Sequence, residues 1–140
     1  MRAVLQRVTQ ASVEVEGSVV GAINKGVCVL VGITHEDGAK DIEYIVRKVL
    51  NLRVFDDEDG SMWKKSVKEL NLGVLSGSKP DFHLAMKSAQ SKEVYQQFLD
   101  KLRADYRPDM VQDGSFGAMM NVKIQNDGPV TIILDSRDSA

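Results

Sequence analysis

Residues 27–33 read Val-Cys-Val-Leu-Val-Gly-Ile, an unbroken apolar run rich in β-branched side chains. It has neither the alternation of a half-solvated strand nor the length of a helix. The turn-forming Asn24-Lys25-Gly26 precedes it and the polar Thr34-His35-Glu36-Asp37 follows it. Such a run is expected of a strand covered on both faces. The chain is therefore expected to be an α/β domain built around an interior strand.

The rest of the sequence supplies the other elements. Residues 1–9 alternate and are rich in β-formers, and 11–15 and 19–23 flank Glu16-Gly17-Ser18, which predicts a hairpin. Ile42, Ile45, Val46, Val49 and Leu50 fall at helical spacing after a cap at Thr34 or Asp37. Arg47 and Lys48 sit in the last turn, where they suit the helix dipole. A short strand is expected at 52–55, closed by an acidic turn at 56–60, and Trp63 is expected to be a packed aromatic. Residues 70–75 suggest a short strand that Gly73 weakens, and 76–80 read as a loop by composition. A second helix over 91–106 carries Val94, Tyr95, Phe98, Leu99 and Leu102 on one face and ends at Arg107-Pro108. Residues 119–125 and 130–135 read as two strands joined by 126–129. This order predicts a mixed, strongly curved, barrel-like sheet of roughly seven strands with two main helices packed outside. A single domain over 1–140 is expected, with the last few residues flexible.

Composition narrows the chemistry. A net charge of −2 argues against coating a long stretch of nucleic acid, which takes many Lys and Arg contacts, but leaves a short end within reach. Cys28 is the single cysteine, so no intrachain disulfide forms, and inside an apolar strand its thiol is expected to be inert. Arg2 and Arg7 interrupt the N-terminus, which does not read as a signal peptide, and no apolar run is long enough to span a bilayer. Of the two histidines, His35 reads as part of a solvated turn, and His83 is at most a candidate for a site rim. Neither His35-Glu36-Asp37 nor residues 56–60 have metal-ligand spacing, and neither a Walker loop nor G-x-G-x-x-G occurs. No metal or cofactor is expected. What remains is Gly128-Pro129. Proline removes a backbone donor and restricts the residue before it, a restriction glycine relieves, and X-Pro bonds are the ones that become cis cheaply. From spacing alone the pair reads either as a plain trans turn or as a cis bond that presents its carbonyls as a rigid acceptor pair.

Several stretches, taken in order, point to a family. Asn126-Asp127-Gly128-Pro129-Val130-Thr131 resembles the N-x-G-P-x-T motif of the D-aminoacyl-tRNA deacylases. The N-terminal Met1-Arg2-Ala3-Val4 with Gln6-Arg7-Val8, Gly26 with the strand after it, Asn51-Leu52-Arg53-Val54-Phe55, Lys79-Pro80-Asp81-Phe82-His83 and Phe116-Gly117-Ala118 are similar to that family as well. The resemblance covers nearly the whole chain and is strongest to the animal form. It implies hydrolysis of the ester joining a D-amino acid, or glycine, to the terminal adenosine of tRNA, with rejection of L-aminoacyl-tRNA. It implies a homodimer, in which a cis Gly128-Pro129 reaches into the partner's pocket and holds the substrate's amino group with its carbonyls. An L side chain would then collide with backbone while a D side chain points to solvent, which is selection by exclusion. The implied catalytic element is Gly128 and Pro129 with Thr131. Arg7 would brace the turn, Phe116, Gly117, Ala118 and Met119 would line the pocket, and Asn126 and Phe82 would complete the substrate site. The implied partner is the acceptor end of tRNA, in the cytoplasm, with the nucleus as a second location.

In one place the chain departs from the family pattern. A second signature, Ser-Gln-Phe-Thr-Leu, is absent: after Ser66-Val67 the sequence runs through Lys68-Glu69-Leu70-Asn71-Leu72-Gly73-Val74-Leu75 and reaches Lys79-Pro80 about one strand's length early, ~3–10 residues. Loss of an interior strand is expected to leave unpaired backbone groups and a gap in the core. Residues 70–75 are a candidate replacement, in which Gly73 fits poorly. Two functions compete on this basis: an active D-aminoacyl-tRNA hydrolase, or a shortened family member that binds tRNA ends or dimerises without the chemistry.

Overall fold

A computed structural model describes residues 1–79 and 88–138 of the chain. Along the chain run β1 (Arg2–Val15), β2 (Ser18–Ile23), β3 (Gly26–Gly32), α1 (Ala39–Asn51), β4 (Arg53–Phe55), β5 (Lys65–Ser66), β6 (Gly73–Lys79), α2 (Ser88–Asp105), β7 (Val111–Asp113) and β8 (Asn121–Asp135). The main sheet runs β2-β1-β3-β6-β7, with β8 on the other edge of β1, while β4 and β5 form a small separate ribbon.

β3 is the interior strand that its apolar run requires. It pairs antiparallel with β1, from Arg2↔Gly32 to Val8↔Gly26, and parallel with β6, from Gly26↔Gly73 to Gly32↔Lys79. Val27, Val29 and Val31 enter a core with Ile42, Ile45, Val46, Val49 and Leu50 of α1 and Tyr95, Phe98, Leu99 and Leu102 of α2. Cys28 turns to the opposite face, into a second core with Val8, Ala11, Val13 and Leu75. Two cores, one per face, explain why the run does not alternate. Both helices lie on the first face, and among the described residues no helical one enters the second core.

β1 is one 14-residue strand, not two short ones. Its ladder with β8 shifts register between Gln6 and Val8 and again between Val8 and Gln10. Such irregularities bend a strand. Here the bend carries the buried side chains from Ala3 and Leu5 in the first core to Val8, Ala11 and Val13 in the second. The sheet curls until its ends meet. A Cβ added at Gly21 on β2 would lie 2.7 Å from the Asp113 carbonyl oxygen on β7, so glycine permits the near-closure into a barrel.

The expected curved α/β architecture is present, and several local expectations are corrected. Residues 76–79 are not a loop but the second half of β6, a strand of seven residues from Gly73 to Lys79. Gly73 does not spoil it. A Cβ on the paired Gly26 would sit 2.0 Å from the Gly73 carbonyl oxygen, and one on Gly73 would sit 2.9 Å from Ile23 Cγ2, so two glycines are what allows β6 to start. The expected gap beside β3 is therefore filled. Residues 121–135 are a single strand that carries Gly128-Pro129 within it. α1 is capped by Gly38, whose N–H donates to the Asp41 carboxylate at 2.9 Å. Asp37 is buried instead, accepting from the Met1 ammonium at 2.6 Å and from Thr34 N–H at 2.8 Å. Trp63 is not packed: it is 47% exposed at φ +62, on a turn between β4 and β5.

Candidate active site

The Gly128-Pro129 peptide bond is cis. Both residues are solvent-exposed, and the turn they form is clamped from within its own motif. Asn126 Oδ1 accepts the Val130 N–H at 3.0 Å, while Asn126 Nδ2 donates to Thr131 Oγ1 at 3.0 Å. Gln6 on β1 donates to the same hydroxyl oxygen at 3.4 Å. Asn126 and Thr131 thus tie the two sides of the turn together across the proline.

Arg7 braces the turn from outside. Its Nε donates to the Asp127 carbonyl oxygen at 3.2 Å and lies 3.4 Å from the Asp127 carboxylate. Its Nη1 donates to the Val54 carbonyl oxygen on β4 at 2.6 Å. A guanidinium presents several donors in a fixed fork, so one side chain can hold two backbone segments at once. A Cβ on Gly128 would lie 2.9 Å from Val130 Cγ2 and 3.2 Å from Arg7 Nη2, at φ +129, a backbone state that L side chains rarely adopt.

The pocket-lining candidates lie elsewhere on the sheet. Between β7 and β8 the chain leaves the ladder at Gly114, turns at Ser115–Ala118 through an Ala118 N–H to Ser115 carbonyl bond of 3.2 Å, and returns at Met120. Gly117 takes φ +78. Phe116 is half-buried and stacks on Tyr95 with ring centroids 5.7 Å apart, whereas Met119 is 94% exposed. Beside this segment is a cavity of about 60 Å³ on the second-core face, lined by Val13, Cys28, Leu30, Leu75, Ser76, Gly77, Ser78, Gly114, Met120 and Val122. Closed ligand sites usually enclose ~300–1,000 Å³, so this cavity is too small to be a whole one. Its rim is built of small residues, Ser76-Gly77-Ser78 and Gly114, which leave backbone within reach of a ligand. No residue of the 126–131 motif lines it. The structure therefore sets the sequence candidates in two groups: Arg7, Asn126, Gly128, Pro129 and Thr131 at the turn, and Phe116, Gly117, Ala118 and Met119 beside the cavity. Phe82 and His83 lie outside the described residues.

Cys28 forms part of the cavity floor, and burial pushes its thiol up to about 11, so it stays protonated and unreactive at neutral pH. Three polar residues were not singled out from the sequence as site candidates: Ser76, which lines the cavity, and Tyr95 and Asp113, which bond to one another and, through Tyr95, to Ser76. Tyr95 reads as one more apolar residue of a helical stripe. Its polar end was the available signal, because a buried tyrosine hydroxyl needs a partner.

The comparisons with known proteins bear on this geometry. Residues 4–135 match the family model described as D-Tyr-tRNA(Tyr) deacylase. The chain belongs to the D-Tyr-tRNA(Tyr) deacylase family. Among curated relatives of this deacylase family, the mouse and human proteins named D-aminoacyl-tRNA deacylase 1 are each 53% identical over 97% of this chain and 70% of their own. The Saccharomyces cerevisiae D-aminoacyl-tRNA deacylase is 47% identical over 97% of this chain and 99% of its own. A solved structure titled c-Myc DNA Unwinding Element Binding Protein superposes with a TM-score of 0.93 at 52% identity, covering 96% of this chain and 98% of that one. A second, titled as a probable eukaryotic D-amino acid tRNA deacylase, shares the fold with a TM-score of 0.80 at 17% identity.

Proposed function

We propose that this chain hydrolyses the ester of D-aminoacyl-tRNA, releasing free D-amino acid and tRNA, and leaves L-aminoacyl-tRNA intact; glycyl-tRNA is accepted because it has no side chain to exclude. The observation that carries this is a motif in two pieces: an exposed, clamped Gly128-Pro129 turn, and a small-residue cavity that the turn of the same chain does not line. The working unit is a symmetric homodimer in which each turn completes the partner's cavity. β8 supports the pairing. Among the described residues it is paired on one side only, with β1, and a 15-residue strand with an open edge and Ile133 74% exposed is a surface that proteins ordinarily cover.

Little side-chain chemistry is required. An aminoacyl ester is already activated, and the neighbouring 2′-hydroxyl of the terminal adenosine assists its cleavage. The protein contributes position and backbone N–H groups at the developing oxyanion. Gly128 and Pro129 carbonyls receive the substrate's amino group, and Phe116, Gly117 and Ala118 form the wall beside the reacting ester. The partner is the acceptor end of tRNA, and the place of action is the cytoplasm. The shortened reading without chemistry rests on the absent Ser-Gln-Phe-Thr-Leu signature, but the gap expected from that absence is filled, because β6 pairs with β3 along its length.

The test is the rate of hydrolysis of D-tyrosyl-tRNA against L-tyrosyl-tRNA, with Gly128→Ala as control. D-selective hydrolysis that the control loses is the expected result. A folded dimer that hydrolyses neither ester would sink the proposal.

A further inference from the structure

A polar cluster that shares Ser76 with the cavity has no part in the chemistry above. Ser76 and Asp113 face each other across the β6–β7 ladder, at the last paired position before β7 leaves the sheet. Over them lies Tyr95 of α2, 2% exposed, its hydroxyl bonded to Asp113 Oδ1 and 3.1 Å from Ser76 Oγ. A phenol has one proton, and a carboxylate only accepts. Tyr95 therefore donates to Asp113 and accepts a hydrogen bond from the Ser76 hydroxyl. The Tyr95 ring in turn stacks on Phe116, three residues past Asp113.

We infer that Tyr95 is a positioning residue for the substrate pocket, holding the 114–118 wall at two points, by its hydroxyl on Asp113 and by its ring on Phe116. The inference rests on the cavity being the hydrolase's substrate site. The wall has few other anchors. Gly114 and Gly117 are backbone-flexible, and Ala118 is held by a turn bond internal to the segment. Space where it begins is tight: a Cβ at Gly114 would sit 2.6 Å from Met120 Sδ and 3.3 Å from Val13 Cγ2, so the wall starts in direct contact with the cavity lining. Of the elements packed on Asp113, α2 supplies Tyr95 and the charge of Arg103, β6 supplies Ser76, and the wall itself supplies Gly114 N–H. Burial raises the Asp113 carboxyl above its ordinary range, and the Tyr95 hydroxyl is the first of the contacts that oppose this.

Tyr95→Phe keeps the ring and removes the hydroxyl. For D-tyrosyl-tRNA, kcat/KM is expected to fall about tenfold, the worth of one hydrogen bond to a charged group. The acid limb of its pH profile is expected to move up, because Asp113 loses a donor that favours its charged form. Amide exchange across residues 114–118 is expected to quicken. Asp113→Leu removes the acceptor and is expected to behave like Tyr95→Phe, and it carries the test if the tyrosine variant does not fold. Exchange and kcat/KM at wild-type values in both Tyr95→Phe and Asp113→Leu would overturn the inference. If the wild-type chain hydrolyses no D-aminoacyl-tRNA, it is the proposed function that fails, and the exchange rates over 114–118 alone decide the role of Tyr95.

Discussion

Replacing Arg7 by alanine is the sharpest test of how the Gly-Pro turn is held. The side chain is 15% exposed and makes two hydrogen bonds to carbonyls of separate elements, Asp127 at 3.2 Å and Val54 at 2.6 Å. Hydrogen bonds from a charged donor contribute roughly 1.5–3 kcal/mol each. The charge leaves with the side chain, so no unpaired ion remains buried. The Asp127 side of the clamp is part-buried, so water replaces most of what is lost there, whereas Val54 is 1% exposed and its carbonyl loses its donor outright. The net loss is then about 2 kcal/mol, and at roughly 3–4 °C per kcal/mol for a domain of this size the melting temperature drops by ~7 °C. A domain stable by ~5–15 kcal/mol stays folded at 25 °C after that loss, so any fall in activity beyond it is positional. Misplacing a reacting group by ~1 Å can cost on the order of a hundredfold, and the expected fall in kcat/KM for D-tyrosyl-tRNA is at least tenfold. Arg7→Lys, a point donor without the fork, should recover one bond and only part of the rate. The assays are a melting curve and single-turnover deacylation on the same preparation. A melting temperature that drops while kcat/KM stays at the wild-type value would show that Arg7 merely stabilises the fold, and the bracing argument would be wrong.

Three further outcomes follow from the same structure. Gly26→Ala should abolish a cooperative thermal transition or lower its midpoint severely, since its Cβ would lie 2.0 Å from the Gly73 carbonyl oxygen and part β3 from β6; a mild shift of a few degrees would mean the ladder can slide. Gly128→Ala should leave the melting temperature within a few degrees of wild type yet abolish D-selective hydrolysis, because the added Cβ crowds Val130 and Arg7 at an exposed turn; retained activity would place the substrate elsewhere. The Asp135 carboxyl is held below its ordinary range by the Arg137 backbone N–H and, against partial burial, by Arg2. A folded pKa below the unfolded one stabilises the fold above the unfolded pKa of ~3.9 and is lost as pH falls through the folded pKa. Asp135→Asn should therefore melt lower than wild type at pH 7, with the difference vanishing under strong acid; a difference independent of pH would contradict the assignment.

Residues whose environment is decided within a few neighbours were legible. The five apolar positions of α1 and the four of α2 from Tyr95 to Leu102 are buried as their spacing requires, and the doubly covered β3 sits at the centre of the sheet. The Gly128-Pro129 turn stood out because glycine before proline is informative by itself. What could not be read depends on distant partners. Trp63 has the composition of a core residue, but the turn that carries it is pinned by its own bonds, Gly60 N–H to Asp57 and Lys64 N–H to Phe55, which leave the indole at the surface. Asp37 looks like a helix cap until the chain terminus arrives beside it. Tyr95 and Asp113 meet only through the fold, and nothing in their spacing of 18 residues announces it.

β6 is where local and global requirements diverge most, and it explains how the chain does without the Ser-Gln-Phe-Thr-Leu stretch. Ser76-Gly77-Ser78-Lys79 has loop composition, and strand propensity alone would not extend it. It becomes a strand because β3 presents a full edge of backbone donors and acceptors in a buried place, where leaving them unpaired costs more than the weak propensity of a serine or glycine. Small side chains then become an advantage. A Cβ at Gly77 would already lie 3.1 Å from Leu30 Cδ2, and the Ser76 hydroxyl is satisfied by Tyr95. Ser76, Gly77 and Ser78 also line the cavity and supply its hydroxyl groups. The demand that completes the sheet therefore also sets small, polar residues along the cavity, so stability and the shape of the cavity come from one segment and should be lost together when a bulky side chain replaces Gly77.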